Sequence, residues 1–539
     1  MAALLRSWMI QIALCMLCCP LVVYSYKYLQ FTPGFFKAAG SKSHFYMAEQ
    51  IATAFLKGGH EVTLVVTGDN KETIPGVKIV RSPAAYPEET FVKMAELVKM
   101  YTMNQALGIT TATDADRKFF FGVWEGQCHA LLTDTDLYMK LAAENFDYAI
   151  VDHAEGCGYL FAKMLGLRYI SLECSPFFSM LMDSQTAHPL AYVPAFGSEL
   201  TDRMNFFQRV KNVLFWPSMI FMMVNLMDTP TTAAKERVGI LPGTSLMQLR
   251  QEAELWLVNN DWSLEFPRPT NPNTIFIGGI LAAKEPKPMS KDLQSWLTTA
   301  PGKGTVIVSF GSAMDFSDLP DVQKLLFDAF RALPYKVIIS LKAKVNDLPS
   351  NVMVRDWIPQ SDLLALKDET KLLVTHGGVN SIFEAIYWAV PLLILPLSLD
   401  APDNAVRVEA KGFGLRAEFK TLTSKELAEK ITRIIEDKSF KQNAEKASTI
   451  MRDTPQTPAE RVLFWVEHIT RHGNGDHIHT KTAHLHWWQH FMWDVAAFLI
   501  TLTLTALWII FTLVKCTCRC CCKCLGFSKQ PAKEKIKQS

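Results

Sequence analysis

The sequence predicts an α/β protein built from two doubly wound lobes and followed by a single C-terminal transmembrane helix. Three observations lead there. The chain has 539 residues, too many for one ordinary domain. Short apolar strands alternate with helix-length amphipathic segments in two separate runs. A stretch close to the C-terminus is almost free of charge and long enough to cross a bilayer.

The first run, residues 26–283, has its clearest strands at Tyr26 to Phe31, Glu61 to Val66, Tyr148 to Val151 and Tyr169 to Leu172. A linker over 284–304 follows, marked by the Pro/Lys-rich Ala283 to Pro288, a polar helix and the loop Pro301 to Gly304. The second run, 305–470, restarts with Thr305 to Ser309, then Lys336 to Ser340, Val352 to Val354, Leu372 to Thr375 and Leu392 to Leu395. Doubly wound sheets bind ligands at the carboxyl ends of their strands, so two such lobes facing each other place a ligand cleft between them.

Both ends read as targeting segments. Residues 1–25 carry one basic residue, Arg6, then an apolar run from Trp8 to Tyr24 with small residues Val23 and Ser25 at its end, the pattern of a cleaved signal peptide. A premembrane segment, 471–494, brings Trp487, Trp488 and Trp493 to the edge of the expected span, 495–514. The tail, 515–539, holds Lys515, Arg519, Lys523, Lys529, Lys533, Lys535 and Lys537 against Glu534, and this positive bias puts it in the cytosol and both lobes in the lumen. Lys535 and Lys537 have the spacing of a dilysine signal for retrieval to the endoplasmic reticulum membrane.

Composition excludes several classes. With 55 basic and 53 acidic residues the net charge is +2, which gives no support to nucleic-acid binding. Gly156-Cys157-Gly158 is followed by Phe161 where a dinucleotide fingerprint needs its third glycine, and Gly302-Lys303 lacks the rest of a phosphate loop. Of 12 cysteines only Cys128, Cys157 and Cys174 fall between signal and span, an odd number that specifies no disulfide framework but allows one bridge. The cysteines after the span do not have zinc-site spacing, which leaves acylation or no function at all as their readings. The late histidines His472, His477, His479, His484, His486 and His490 keep no regular ligand spacing, so no metal is expected.

Three runs carry chemistry: Trp357-Ile358-Pro359-Gln360, then Val374 to Glu384, then Leu399 to Asn404. A strand ending at Thr375 passes through Gly377-Gly378 into a helix expected to begin near Ser381, so backbone N–H groups and a positive helix end converge on one spot suited to a diphosphate. His376 adds a side-chain donor there. Trp357 offers a flat face for stacking a base, and Gln360 and Glu384 can hydrogen-bond base or ribose. Ser381 and Glu384 also fit the S-x-x-E helix capping box, and the pattern alone leaves both roles open.

Together with Trp262, Phe266-Pro267-Arg268-Pro269, Gly278-Gly279 and Phe310-Gly311-Ser312, these runs resemble, in order over nearly the whole chain, the metazoan UDP-glycosyltransferases of the glucuronosyltransferase type. The resemblance implies the GT-B fold of two facing Rossmann-like lobes. It implies inverting transfer of a hexosyl group, glucuronosyl or glucosyl, from UDP-glucuronic acid or UDP-glucose to a hydroxyl of a small lipophilic acceptor, without a metal or any cofactor besides the donor. Homo- or hetero-oligomers stay open. It assigns donor binding to Ser312, Trp357, Gln360, His376, Gly378, Asn380, Ser381, Glu384 and Asp400. It assigns the general base to His44 in Ser43-His44-Phe45, at the start of a helix with Phe45, Ala48, Ile51, Ala52 and Phe55 at helical spacing. Asp152 is the implied partner of His44; by sequence alone it reads as a strand-end turn or cap. His60 sits at the far end of that helix and is expected to be structural. Phe119, Phe120, Phe121, Trp124, Phe177 and Phe178 are candidates for an acceptor pocket or for core, and the apolar Val213 to Met227, broken by Pro217 and too short to span a membrane, is expected to line that pocket or to rest on the lumenal leaflet.

Two positions depart from the family pattern. Ala401 stands where Gln is usual after Asp400, and Asn259 stands where glucuronosyl-transferring relatives commonly carry Arg. Losing a guanidinium that would meet a sugar carboxylate makes a neutral hexose a serious competitor. The same departures raise a second reading, a non-catalytic UDP-sugar-binding relative or partner of an active transferase.

Overall fold

A computed structural model describes the chain except residues 1–24, 34–41, 68–71, 109–112, 176–185, 284, 312–315, 317–318, 343–346, 398, 481–484, 486, 491 and 525–539. The signal peptide, Ser312, Phe177, Phe178 and the dilysine positions therefore lie outside the described residues. Met1–His479 form one compact unit and Thr480–Ser539 another.

The first unit contains two parallel sheets. In chain order the first holds β1 (Lys27–Phe31), β2 (Glu61–Thr67), β3 (Lys78–Ser82), β4 (Tyr148–Asp152), β5 (Tyr169–Glu173), β6 (Trp256–Val258) and β7 (Thr274–Phe276). The second holds β8 (Thr305–Ser309), β9 (Lys336–Ser340), β10 (Val352–Arg355), β11 (Thr370–Thr375), β12 (Leu392–Ile394) and β13 (Gly414–Arg416). Their spatial orders are β3-β2-β1-β4-β5-β6-β7 and β10-β9-β8-β11-β12-β13. Each sheet thus has a point where the winding reverses, between β1 and β4 in one and between β8 and β11 in the other, and there the loops part to leave a crevice.

The central strands are buried and largely apolar because helices cover both faces, with polar residues such as Asp152, Glu173 and Ser309 at their carboxyl ends. Every residue of β4, β5 and β8 is buried. Leu29, Phe31 and Val151 pack on one face of the first sheet, Tyr28, Ile150 and Leu172 on the other. Val306 and Val308 alternate in the same way with Ile307 in the second.

The expected strands all form, within a residue or two of the anticipated ends. Residues 458–471, expected to close the second lobe, instead return to the first. Thr457 and Glu460 cap the helix Pro458–Arg471 reciprocally. Its Val462, Val466 and Ile469 are fully buried in the cluster that holds Tyr28, Phe55 and Leu255. Cys128 and Cys157 form a disulfide with a Cα–Cα distance of 5.6 Å, and Cys174 remains a buried free thiol. The helix Phe206–Met223, with Pro217 inside it, is pinned by the buried Asn212, which donates to Leu190 O and Val193 O and accepts from Ala195 N. Phe207, Leu214 and Phe221 on this helix are 79, 71 and 72% exposed, so they do not wall a pocket.

In the second unit the long helix Trp493–Cys524 includes a span, Trp493–Arg519, whose most apolar 18 residues have a mean hydropathy of 2.3, long and apolar enough to cross a membrane. It extends past both ends of the expected 495–514.

Candidate active site

His44 lies at the switch point of the first sheet. The chain leaves β1, passes beyond its carboxyl end and enters the helix Ser43–Lys57, whose Phe45, Ala48, Ile51, Ala52 and Phe55 are buried as their spacing predicts. That burial fixes the helix face, and His44 in the first turn is held over the end of β4. Its Nδ1 is 2.7 Å from Asp152 Oδ2, with the two side chains 19% and 1% exposed. The other Asp152 oxygen accepts from Ala154 N at 3.0 Å, and the Cys174 thiol donates to Oδ2 at 3.4 Å. Burial, with the Asp152 charge added, pushes the Cys174 thiol well above its ordinary range, so it stays protonated and donates. Burial likewise raises Glu155 to about 8, helped by the Asp152 charge, so this neighbour brings no second full negative charge to the pair at neutral pH. His44, Asp152 and Cys174 have the donor types of a metal site, with ligand-type atoms within 4.8 Å of one another, but those atoms already bond among themselves.

His60 is a structural residue, as expected. It is buried, accepts from Tyr26 N at 3.3 Å and lies 2.9 Å from Glu467 on the helix Pro458–Arg471, with the rings of Tyr28 and Phe55 around it.

The second switch point gathers the glycine loops. Gly311 after β8 and Gly377-Gly378 after β11 surround His376. A methyl group at Gly378 would come within 2.6 Å of His376 Nε2, and one at Gly311 within 2.9 Å of Cε1. The imidazole occupies space that only glycines leave. Burial lowers its pKa to about 4, so the ring is neutral at pH 7. Thr375 Oγ1 lies 3.5 Å from Nδ1, and Nε2 is the nitrogen turned toward Gly378. Gly378 has a φ of −62°, open to any residue, so Gly378→Ala acts only by displacing the ring. A lost hydrogen bond to a charged group is worth roughly 1.5–3 kcal/mol, so the KM for the donor should rise about 10- to 100-fold with little change in thermal midpoint, measured by initial rates and a melting curve.

The helix after His376 begins at Val379, two residues earlier than the sequence suggested, with Gly378 at its N-cap and no side-chain cap. Ser381 therefore lies inside the first turn, and the S-x-x-E capping box does not form. Gln360, on the short helix Gln360–Leu364, instead donates to Ser381 Oγ at 3.1 Å and to the Glu384 carboxylate. Trp357 is 72% exposed, which rules out a core role and leaves its indole face open. Asp400 follows Leu399, whose φ of 57° is strained for a branched residue. Asn404 ties Asp400 to the glycine loop, donating to Asp400 Oδ2 at 2.8 Å and to Gly377 O at 2.9 Å. Burial pushes the Asp400 carboxyl above its usual range.

A run of bonds crosses between the lobes. Asn259, just past β6, donates from Nδ2 to Cys174 O at 3.0 Å and to Asn380 Oδ1 at 2.8 Å. Through Cys174 this connects the His44–Asp152 pair to the first turn of the donor-side helix. In the sequence Asn259 stands out only as a departure from the family pattern; Asn404 lies within the Leu399 to Asn404 run without a distinguishing signal, and Cys174 belongs to no motif. Trp124 joins a small crevice with Thr32, Gln127 and Glu155 beside the strand ends, while Phe119 and Phe120 pack in a satellite cluster with Phe91 and Met94.

The two lobes, with paired titratable groups at one switch point and a glycine-wrapped histidine at a helix N-terminus at the other, define a nucleotide-sugar transferase. The profile of the family described as "UDP-glucoronosyl and UDP-glucosyl transferase" matches residues 36–531. Human UDP-glucuronosyltransferase 3A2 is 38% identical over 387 residues, 71% of this chain and 73% of that protein. Human 2-hydroxyacylsphingosine 1-beta-galactosyltransferase is 33% identical over 465 residues, 85% of this chain and 83% of that one. Among solved structures, the glycosyltransferase of kitacinnamycin superposes with a TM-score of 0.56 at 17% identity, covering 82% of this chain and 99% of its own. VinC, solved in complex with dTDP, gives 0.54 at 18% identity, covering 83% of this chain and 100% of its own. The chain belongs to the UDP-glucuronosyl- and UDP-glucosyltransferase family. It is a UDP-glycosyltransferase with the GT-B fold that moves a sugar from a UDP-sugar to a small-molecule acceptor.

Proposed function

We propose that this enzyme transfers a neutral hexosyl group from a UDP-hexose to a hydroxyl of a small lipophilic acceptor with inversion at the anomeric carbon. The observation that carries the reading is the 2.7 Å His44–Asp152 pair, linked through Cys174 and Asn259 to the donor-side helix. Asp152 holds Nδ1–H, so Nε2 of His44 takes the acceptor proton, and Asp152 stabilises the imidazolium that forms. The acceptor oxygen bonds to the anomeric carbon as the bond to the diphosphate oxygen breaks on the opposite face. UDP leaves against the His376 N–H and the N–H groups that open the helix Val379–Tyr387, where the dipole favours negative charge. Trp357 stacks on uracil, Gln360 and Glu384 meet the ribose, and Asp400 meets sugar hydroxyls. The intact pair argues against the non-catalytic reading.

Asn259 supports the neutral sugar. Both of its N–H bonds are used, no positive charge stands at this position, and its buried Oδ1 has no protein partner, so it can accept from a sugar hydroxyl. In microsomes carrying the full chain, offered a phenol panel, UDP-glucose should be used at least about tenfold better than UDP-glucuronic acid, and Asn259→Arg should narrow or reverse that ratio. Equal or better use of UDP-glucuronic acid by the unmodified enzyme would remove the claim. The long apolar helix fits a single-pass anchor. Its basic tail supports a type I arrangement in the endoplasmic reticulum membrane with both lobes lumenal, and apolar acceptors partition into such a membrane.

A further inference from the structure

Where the last lobe helix ends, three imidazoles come together. His468 and His472 are one helical turn apart, with ring centroids 4.5 Å apart. Gly473, at a φ of 78°, turns the chain, and a tight turn closed by Ile478 N and His479 N on Gly475 O brings His477 back across His468. His477 Nε2 lies 2.9 Å from His468 Nε2, and its ring centroid is 5.0 Å from that of His468 and 6.1 Å from that of His472. Tetrahedral zinc with nitrogen ligands at about 2.0–2.1 Å separates the nitrogens by roughly 3.3 Å and the ring centroids by roughly 5 Å. To reach a coordinated arrangement the His468–His477 contact opens by a few tenths of an ångström and the exposed His472 turns its ring inward, since its nitrogens do not lie within 4.8 Å of both other ligand atoms as they stand.

The surroundings hold the rings as ligands. Phe464 stacks on His468 at 5.9 Å and Trp465 meets its edge at 5.6 Å, which restricts its rotamer. The turn is tied down from the first lobe: Arg168 donates to Gly473 O at 2.7 Å, Gly475 N donates to Glu254 at 2.8 Å, and His479 is spent on Gln251 O at 3.0 Å. Arg471 is the nearby cation and is paired with Glu467 at 2.7 Å; Asp476, exposed beside His477, contributes a negative charge.

We propose that His468, His472 and His477 form a transition-metal site, with Zn²⁺ as the fitting ion, that clips the end of the helix Pro458–Arg471 to the turn after it. Three imidazoles select borderline metals of the zinc, nickel and copper group over magnesium or calcium. The site lies apart from His44 and His376 and takes no part in sugar transfer. It was hidden in the sequence because the late histidines were read from His472 onward, which leaves out His468 and with it the H-x-x-x-H pair on one helix face.

The test uses the untagged full chain in detergent, stripped with a chelator and titrated with Zn²⁺ by calorimetry, and with Co²⁺ as a spectroscopic stand-in. We expect about one equivalent of Zn²⁺ bound with micromolar or tighter affinity, a thermal midpoint raised by Zn²⁺ and restored by chelator, and visible Co²⁺ bands of tetrahedral intensity. The double variant His468→Gln/His477→Gln should bind at least about 100-fold more weakly and lose the Co²⁺ bands, while its sugar transfer without metal stays at the unmodified level, which shows that it folds. The control variant His129→Gln, on the helix Asp114–Thr133, should change nothing. No saturable binding in the unmodified chain, or unchanged binding in the His468/His477 variant, overturns the proposal.

Discussion

Replacing His44 with alanine should lower kcat by about a thousandfold while the affinity for the UDP-sugar stays within a factor of two or so. A positioned general base contributes on the order of 10²–10⁴ in rate, and a thousandfold corresponds to about 4 kcal/mol of lost transition-state stabilisation. The proposed donor contacts lie on the other lobe, from Trp357 to Asp400, together with Asn259 after β6, and none of them involves His44, so donor binding has no reason to change. Asp152→Asn should come close to the same loss. It keeps the shape of the side chain but removes the charge that stabilises the imidazolium, and the new amide can turn an N–H toward Nδ1 and impose the wrong tautomer. The 2.7 Å bond and the nearly complete burial of Asp152 make that charge count for more than it would in water. Initial rates in microsomes, normalised to protein level, with donor affinity measured separately, check both. A His44→Ala enzyme within tenfold of the unmodified rate would mean that another group takes the proton.

The second large effect is on stability and arises where the lobes meet. Glu265 and Arg407 pair at 3.2 Å with side chains 2% and 4% exposed, and Glu265 also accepts from Asn260 Nδ2 and Phe266 N at 2.9 Å. Burial by itself would push the Glu265 carboxyl up. The Arg407 and Arg268 guanidiniums and the Asn260 and Phe266 donors outweigh it and hold the group below its ordinary range. Glu265→Ala leaves Arg407 charged, buried and without this carboxylate, a change that costs about 3–5 kcal/mol. Set against a typical folding stability of roughly 5–15 kcal/mol, this is enough to lower the thermal midpoint by many degrees and reduce the amount of protein recovered. The sign with pH follows from the depressed value: the pairing contributes fully above the unfolded carboxylate pKa of about 4.3 and is lost only as the pH falls through the lower folded value. A midpoint at neutral pH within a degree or two of the unmodified chain would show that the buried pair is not what joins the lobes.

The sequence made the lobes legible because both sheets are parallel and covered on both sides. Runs such as Thr305 to Ser309, with Val306, Ile307 and Val308 in succession at their centre, are bounded by helix-length segments and admit few other readings. The strands it did not show, β6, β7 and β13, are three residues long and carry too little pattern to separate from loop; β3 mixes exposed and buried positions at a sheet edge. The capping-box reading of Ser381 and Glu384 failed because Gly378 starts the helix directly, a matter of backbone geometry that residue types do not reveal. The return of residues 458–471 to the first lobe is a long-range packing choice, and amphipathic spacing tells which face is buried without telling against what. At the site, His44, His376 and Gln360 were legible through motifs, whereas Cys174 and the bridging role of Asn259 depend on three strand ends converging from distant parts of the chain.

The most direct test of the account is the anomeric configuration of the product, read by proton NMR after incubating the full chain with an α-linked UDP-hexose and a phenol. A single displacement, with His44 activating the acceptor opposite a diphosphate held at His376, predicts the β-glycoside alone. A product that keeps the α configuration would contradict it, because retention requires either a covalent intermediate or attack from the face the diphosphate leaves.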